Sequence, residues 1–264
     1  MSLTNAGRYL FLIVSVAGLC FGQPQSVIVP QIADGGGWQT TLVLTSTTTT
    51  GGSATLSFYQ ETSGGATQTW NLPLMESSSQ TVQVGGGATV FLHTAGAGAV
   101  TSVGWAQMIV SPGIVAYAIF TQRIPGQADQ DGTAPGGAAT ERFLVPFDNT
   151  SGCVTGVAIA NPSNANSTIL VNVETETGAV SQATLSLPAQ GHAAFALSER
   201  IPATAGHRGL AEFYMQGIGT RTATGSPFVM LALRFNPTGA FTTAPVYAQT
   251  GAPIVGVKPP DSRR

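Results

Sequence analysis

The chain has 264 residues, of which 43% are hydrophobic and only 8% are charged, against about 25% charged residues in an average soluble protein. The formal net charge is −2 and Lys258 is the only lysine, which excludes the basic surface typical of nucleic-acid-binding proteins. The hydrophobic content excludes general disorder, and the length predicts one large domain or two ordinary ones.

The first predicted element is an export signal. A short segment with one positive side chain, Arg8, precedes the apolar run from Tyr9 to Phe21. This run is shorter than the roughly 20 residues that a membrane-spanning helix needs, so we expect a signal peptide over 1–22 and no transmembrane span. The alternative is a lipoprotein acylated at Cys20. The expected location is extracellular or on the cell surface, with the periplasm as the alternative.

The rest of the chain contains an internal repeat, because the segment that Val29-Pro30 opens recurs at Val145-Pro146. Equivalent positions are Gly37 and Gly152, Trp38 and Cys153, Leu42 and Val157, Leu44 and Ile159, and Trp105 and Leu210. The repeat predicts two homologous domains, 25–140 and 141–257, followed by a disordered tail over 258–264.

Both copies consist of short runs that alternate apolar and polar residues, such as "TLVLT", "ATLSFYQE" and "TILVNVETE". Turn sequences such as "TTTTGG" and "NPSN" separate these runs, and helical periodicity is nearly absent. The pattern predicts an all-β protein made of two tandem immunoglobulin-like or fibronectin-like β-sandwich domains.

The glycine triplet at 35–37, followed by Trp38, allows two interpretations. A phosphate-binding loop would be followed by a helix, whereas this triplet is followed by a threonine-rich strand. The second copy keeps only Gly152 of the triplet. We therefore expect a turn that leads into a strand, with Trp38 specific to the first copy.

Motifs of common enzyme classes are missing: the sequence has no HExxH, CxxC or G-x-S-x-G segment and no P-loop lysine. Its three histidines are far apart, and Cys153 is expected to be a small buried residue. Glu174 and Glu176 lie on one face of a predicted strand, where paired carboxylates would serve a glycosidase. We expect a solvated strand face instead, so a secreted hydrolase is only the second alternative function.

Two polar segments are candidate sites. Asp129 and Asp131 precede a glycine in "DQDG", which resembles part of a calcium loop, although a polar linker is the simpler interpretation and no other cofactor is expected. Arg208 and Glu212 belong to the densest charged segment, "SERIPATAGHRGLAEFY". Its charges are expected to form surface ion pairs, and a binding epitope is the alternative.

The tryptophans are candidate contacts for a glycan, since exposed aromatic faces stack on sugar rings. Trp70 has no counterpart in the second copy and is the first candidate, with Trp38 as the second. Trp105 lies in a repeated block, which predicts a place in the core. A pair of carbohydrate-binding modules is therefore the first alternative function.

The motifs "VPQIADGGGWQTTLVLTSTTTT", "RIPATAGHRGLAEFY" and "ALRFNPTGAFTTAPV" together resemble an uncharacterised group of exported tandem β-sandwich proteins of soil-type bacteria. The resemblance implies fold and export but assigns no activity and no site residues. We expect a non-catalytic exported protein that acts in cell-surface adhesion or extracellular interaction. Its expected partner is a surface or matrix protein or a polysaccharide. The folded part has no lysine to guard its strand edges, so self-association through those edges is also expected.

Overall fold

The structure is a computed structural model that describes residues 23–218 and 225–255. It contains 57% strand and 4% helix in several antiparallel sheets, which confirms the predicted all-β sandwich fold. The expected signal peptide over 1–22 and the expected tail over 258–264 lie outside the described residues. No helix in the described part is long and apolar enough to cross a membrane.

The first half of the molecule, residues 25–135, forms two sheets. Its strands are β1 (Gln25–Asp34), β2 (Trp38–Ser46), β3 (Gly52–Glu61), β4 (Thr67–Thr69), β5 (Thr81–Val84), β6 (Thr89–His93), β7 (Ser102–Val110), β8 (Ile114–Gln122) and β9 (Gln130–Pro135). One sheet has the order β1-β7-β3, with β4 and β5 both paired to the outer side of β3. The other sheet has the order β6-β2-β8-β9.

The second half, residues 142–249, forms two further sheets. Its strands are β10 (Arg142–Asp148), β11 (Val154–Ala160), β12 (Ser167–Thr175), β13 (Val180–Leu187), β14 (His192–Ala196), β15 (Arg208–Met215), β16 (Val229–Phe235), β17 (Phe241–Ala244) and β18 (Tyr247–Gln249). A one-turn helix, α1 (Leu197–Arg200), follows β14. The sheet orders are β13-β12-β15-β10-β18 and β14-β11-β16-β17.

The two halves have the same order of equivalent strands in their sheets. The order β1-β7-β3 corresponds to β10-β15-β12, and β6-β2-β8-β9 corresponds to β14-β11-β16-β17. The chain after β9 returns to β1 at the Ile28–Gly137 bridge, as β18 returns to β10. In the constant-type immunoglobulin order the first two strands are neighbours. Here β1 and β2 lie in different sheets, so the order differs from the immunoglobulin-like one expected from the sequence.

Each half has a hydrophobic core, which forms because alternate residues of every strand point between its two sheets. The equivalent residues of the repeat are buried there in both copies: Leu42, Leu44, Val157 and Ile159. The core of the first half also takes in Ala158 and Leu231 from the outer face of the sheet β14-β11-β16-β17. The halves are therefore joined by apolar packing, and their division into two independent domains stays a prediction.

The junction between the halves buries polar groups as well. Trp105 is fully buried there, stacks on Tyr59 and donates its indole N–H to the Gln190 carbonyl at 2.9 Å. His192 is also fully buried, with Nδ1 2.7 Å from a carboxylate oxygen of Glu61 and Nε2 3.0 Å from the Pro30 carbonyl oxygen. These bonds link β1, β3 and β7 of the first half to the start of β14 and the turn before it.

Candidate functional site

Strand β13 is an exposed edge that, among residues 23–218 and 225–255, pairs only with β12. Its sequence, "VSQATLSL", contains no charged residue, no proline and no glycine. Ala183 and Leu185 pack against the core of the second half, whereas Gln182, Thr184 and Ser186 are exposed. This alternation is the reason the segment forms a strand, because one face covers the core and the other meets solvent.

The hydrogen-bond direction along β12 identifies which backbone groups of β13 are free. The Thr168 carbonyl accepts a hydrogen bond from the Gln216 amide, just beyond the end of β15. The backbone N–H and C=O groups of even-numbered β12 residues therefore point toward β15, and those of odd-numbered residues point toward β13. Those odd-numbered residues are paired with residues 181, 183, 185 and 187 of β13, whose N–H and C=O groups therefore form the hydrogen bonds to β12. The N–H and C=O groups of residues 180, 182, 184 and 186 therefore point away from the sheet.

The equivalent edge of the first half is protected. There the sheet ends in two short strands, β4 and β5, which both pair with β3. The chain between them contains Pro73 and Glu76 and crosses to β6, where Met75 donates its amide to the His93 carbonyl. Short strands, proline and charge are the usual protections of an edge, and β13 has none of them.

The other long edge strand is interrupted. β1 contains Pro30, its pairing with β7 shifts register between Val29 and Ile32, and Gly137 bridges to Ile28 on its free side. Among the strands that the structure describes, β13 is therefore the long edge without proline, bulge or covering segment.

The two tryptophans predicted as glycan contacts lie in the first half and are not flat exposed platforms. Trp70 and Trp38 are both half-buried and pack against the core of the first half. The Trp38 ring also lies 5.4 Å from the ring of Phe241, centroid to centroid. The structure does not bring the two tryptophans together in one contact surface.

Arg208 and Glu212 are predicted as members of one surface cluster, but only Arg208 lies on the surface. Arg208 is exposed and donates a hydrogen bond to the Thr150 hydroxyl at 3.2 Å. Glu212 is fully buried and pairs with the guanidinium of Arg142 at 3.4 Å. The sequence prediction of a surface ion pair is wrong for Glu212, because residues 250–255, here called the C-terminal segment, cover the face of β15 on which it lies.

The predicted calcium ligands are engaged in protein contacts. Asp129 pairs with the Arg123 guanidinium at 3.2 Å, and both side chains are more than half exposed. Asp131 accepts a hydrogen bond from the Thr121 hydroxyl at 2.7 Å. No group of three or more His, Cys, Asp or Glu side chains that would hold a metal exists among residues 23–218 and 225–255.

The predicted carboxylate pair lies on the surface, where Glu176 and two of the histidines form separate contacts. Glu174 and Glu176 are both exposed, as predicted for a solvated strand face. Glu176 accepts the Arg208 amide at 3.0 Å and lies 3.3 Å from His207 Nδ1. His93 pairs with Glu76 at 2.5 Å, far from the others along the fold.

Sequence reasoning missed the surroundings of Cys153. The residue is half-buried, and the Arg234 guanidinium lies 3.0 Å from its sulfur and 3.0 Å from a carboxylate oxygen of Asp148. No basic residue is close to Cys153 in sequence, so no local signal indicates the contact with Arg234. Only the pairing of β11 with β16 brings Arg234 to it.

The chain matches no family model, no curated protein and no solved structure. The resemblance to exported tandem β-sandwich proteins thus remains an expectation from the sequence motifs.

Proposed function

We propose that the protein is a non-catalytic, exported interaction protein that assembles by strand pairing at the free edge of β13. The observation that supports this is an eight-residue edge strand whose sequence, "VSQATLSL", contains no charge, proline or glycine. Strand addition at such an edge supplies main-chain hydrogen bonds, with specificity coming from alternate side chains.

A second copy of the chain is the partner that the edge fits directly. Two β13 strands can pair antiparallel about a two-fold axis, because each presents the same row of outward N–H and C=O groups. Since the strand carries no charge, no like charges face each other in this arrangement. Assembly of this kind would link copies of an exported protein at a cell surface, in keeping with the expected adhesion role.

The carbohydrate alternative has weaker support. Stacking on a sugar ring requires an exposed aromatic face, whereas Trp70 and Trp38 are half-buried against the core. A hydrolase has no support beyond the exposed Glu174 and Glu176.

The test is sedimentation velocity of the chain from Gln23 to Arg264 over a wide concentration range. We expect a concentration-dependent dimer for the wild type. Thr184→Pro removes one outward N–H without removing a bond to β12, so it is expected to weaken association by at least about tenfold. Thr184→Val changes the same exposed side chain but keeps the N–H, and it should associate like the wild type. A wild-type protein that stays monomeric throughout, or equal association of both variants, would contradict the proposal.

A further inference from the structure

A cleft of about 280 Å³ lies beside Trp38 at the junction of the two halves, and we name it the junction cleft. Its lining from the first half is Gln31, Ala33, Trp38, Thr101, Val103 and Phe120. The second half contributes a floor of small residues, Gly156, Ala158, Ala194 and Ala196, with Leu231, Leu233 and Phe235 beside it. No charged side chain of the described part of the chain lines the cleft.

The lining determines which ligands the junction cleft suits. An apolar protein cavity of about 150 Å³ is large enough to hold benzene. The junction cleft has roughly twice that volume, which corresponds to a molecule of about two fused rings. An anion or cation would lose its hydration without meeting an opposite charge there, so the lining selects an uncharged ligand.

One polar group of the lining lacks a partner. The Oε1 atom of Gln31 is shielded from solvent and accepts no hydrogen bond within the described residues. A buried acceptor left without a donor is unfavourable, because the oxygen has lost its hydration without gaining a hydrogen bond. Gln31 also lines the cleft, so a donor on a bound molecule would reach this oxygen after a rotation of the terminal amide.

We propose that the junction cleft binds an uncharged, largely apolar small molecule of about two fused rings that carries one hydrogen-bond donor. Trp38 and Phe235 supply aromatic surface, and the small-residue floor leaves room for a flat ring system. Gln31 Oε1 accepts a hydrogen bond from the donor group of the ligand. The site is independent of strand pairing at β13, because its lining contains no residue of that strand.

The probe for the test is 2-naphthol, with naphthalene as the matched molecule that lacks the donor. Each is titrated into the chain from Gln23 to Arg264 while the three tryptophan indole N–H signals are followed by NMR and assigned with Trp→Phe variants. We expect saturable movement of the Trp38 signal. The Trp105 signal should stay in place, because its N–H is bound to the Gln190 carbonyl outside the cleft. Absence of a saturable change at Trp38 would overturn the proposal.

Two variants separate the cleft from the hydrogen bond. Ala194→Phe places a ring at an exposed position of the lining and should weaken binding of both probes at least tenfold, whereas Ala179→Phe, at an exposed position outside the cleft, should not. Gln31→Leu should weaken 2-naphthol about three- to tenfold and leave naphthalene unchanged.

Gln122→Leu is the control for the hydrogen bond, because Gln122 Oε1 is also buried without a partner but Gln122 does not line the cleft. Unchanged binding in Ala194→Phe would overturn the site. Unchanged 2-naphthol affinity in Gln31→Leu would overturn the role of the donor. Circular dichroism of each variant verifies that it is folded.

Discussion

Glu212 connects the outer face of a sheet to the C-terminal segment. Neighbouring Ala211 and Phe213 point into the core, so Glu212 points outward, where it would be exposed if nothing covered it. The C-terminal segment passes over it, and its carboxylate accepts the backbone amides of Ile254 at 3.0 Å and Val255 at 2.8 Å. The same carboxylate pairs with the Arg142 guanidinium, so Glu212 holds this segment against the sheet.

Removal of this carboxylate should lower the free energy of unfolding substantially. Glu212→Ala leaves the buried Arg142 guanidinium without its counter-charge, and such a loss typically destabilises a protein by about 3–5 kcal/mol. Asp129→Ala is the control, because it breaks an ion pair whose side chains are more than half exposed, and little change is expected. Urea unfolding measures both free energies. Equal stability of the two variants would contradict this account of Glu212.

Asp148 makes folding sensitive to acid. A hydrogen bond from the Thr150 hydroxyl, and next the guanidinium of Arg234, lower the pKa of Asp148 to about 2 from an ordinary value of 3.8. A carboxylate with a lowered pKa stabilises the fold above its unfolded-state pKa, and this contribution disappears as pH falls through the folded-state value.

The stability that Asp148 contributes should be lost as the pH falls from about 4 to about 2. Because Asp148 is partly exposed, we expect its contribution to be about 1 kcal/mol after solvent screening. Asp148→Asn cannot titrate, so its stability should fall less steeply than that of the wild type across this window. The measurement is urea unfolding at a series of pH values, and parallel curves for the two proteins would disagree with the assignment.

Among the elements, the strands were predictable and their surroundings were not. Alternating runs such as "TILVNVETE" predict strands because each residue type fits one face of a half-buried sheet. The same patterns do not tell which strands end a sheet. β13 and β3 carry similar alternation, yet β13 is a free edge and β3 lies between β7 and the short strands β4 and β5.

The glycine triplet was predictable as a turn from the comparison of the two copies. Gly35, Gly36 and Gly37 all have positive φ angles, and the turn closes with bonds in both directions between Gly35 and Trp38. A Cβ atom at Gly37 would lie 2.5 Å from the Arg123 carbonyl oxygen, so a side chain there would collide with backbone. Both facts favour backbone geometry as the reason for the triplet.

At the scale of the whole molecule, the repeat predicts two similar halves but not how they meet. The sequence predicts a buried Trp105, and it is fully buried, but on the outer face of its sheet against the other half, where its N–H binds the Gln190 carbonyl. Its counterpart Leu210 is half-exposed. The Glu61–His192 contact joins residues 131 positions apart, and no local pattern in either segment predicts it.

The junction cleft was unpredictable for the same reason, since its two walls belong to different halves of the chain. The second copy has Cys153 in place of Trp38, so the sequence marks Trp38 as a difference between the copies but does not indicate a cleft. No local pattern marks Gly156 and Leu233 as cleft residues. They line the cleft only because the outer face of their sheet packs beside Trp38.

The most direct test of assembly through β13 is amide hydrogen exchange, residue by residue, in dilute and in concentrated protein. The amides of Ser181 and Ala183 already bind β12, so they should be protected at both concentrations. The outward amides of Gln182 and Thr184 should exchange fast in dilute protein and slowly in concentrated protein, because strand pairing occupies them. Fast exchange of these two amides at both concentrations would contradict the proposal that β13 is the assembly edge.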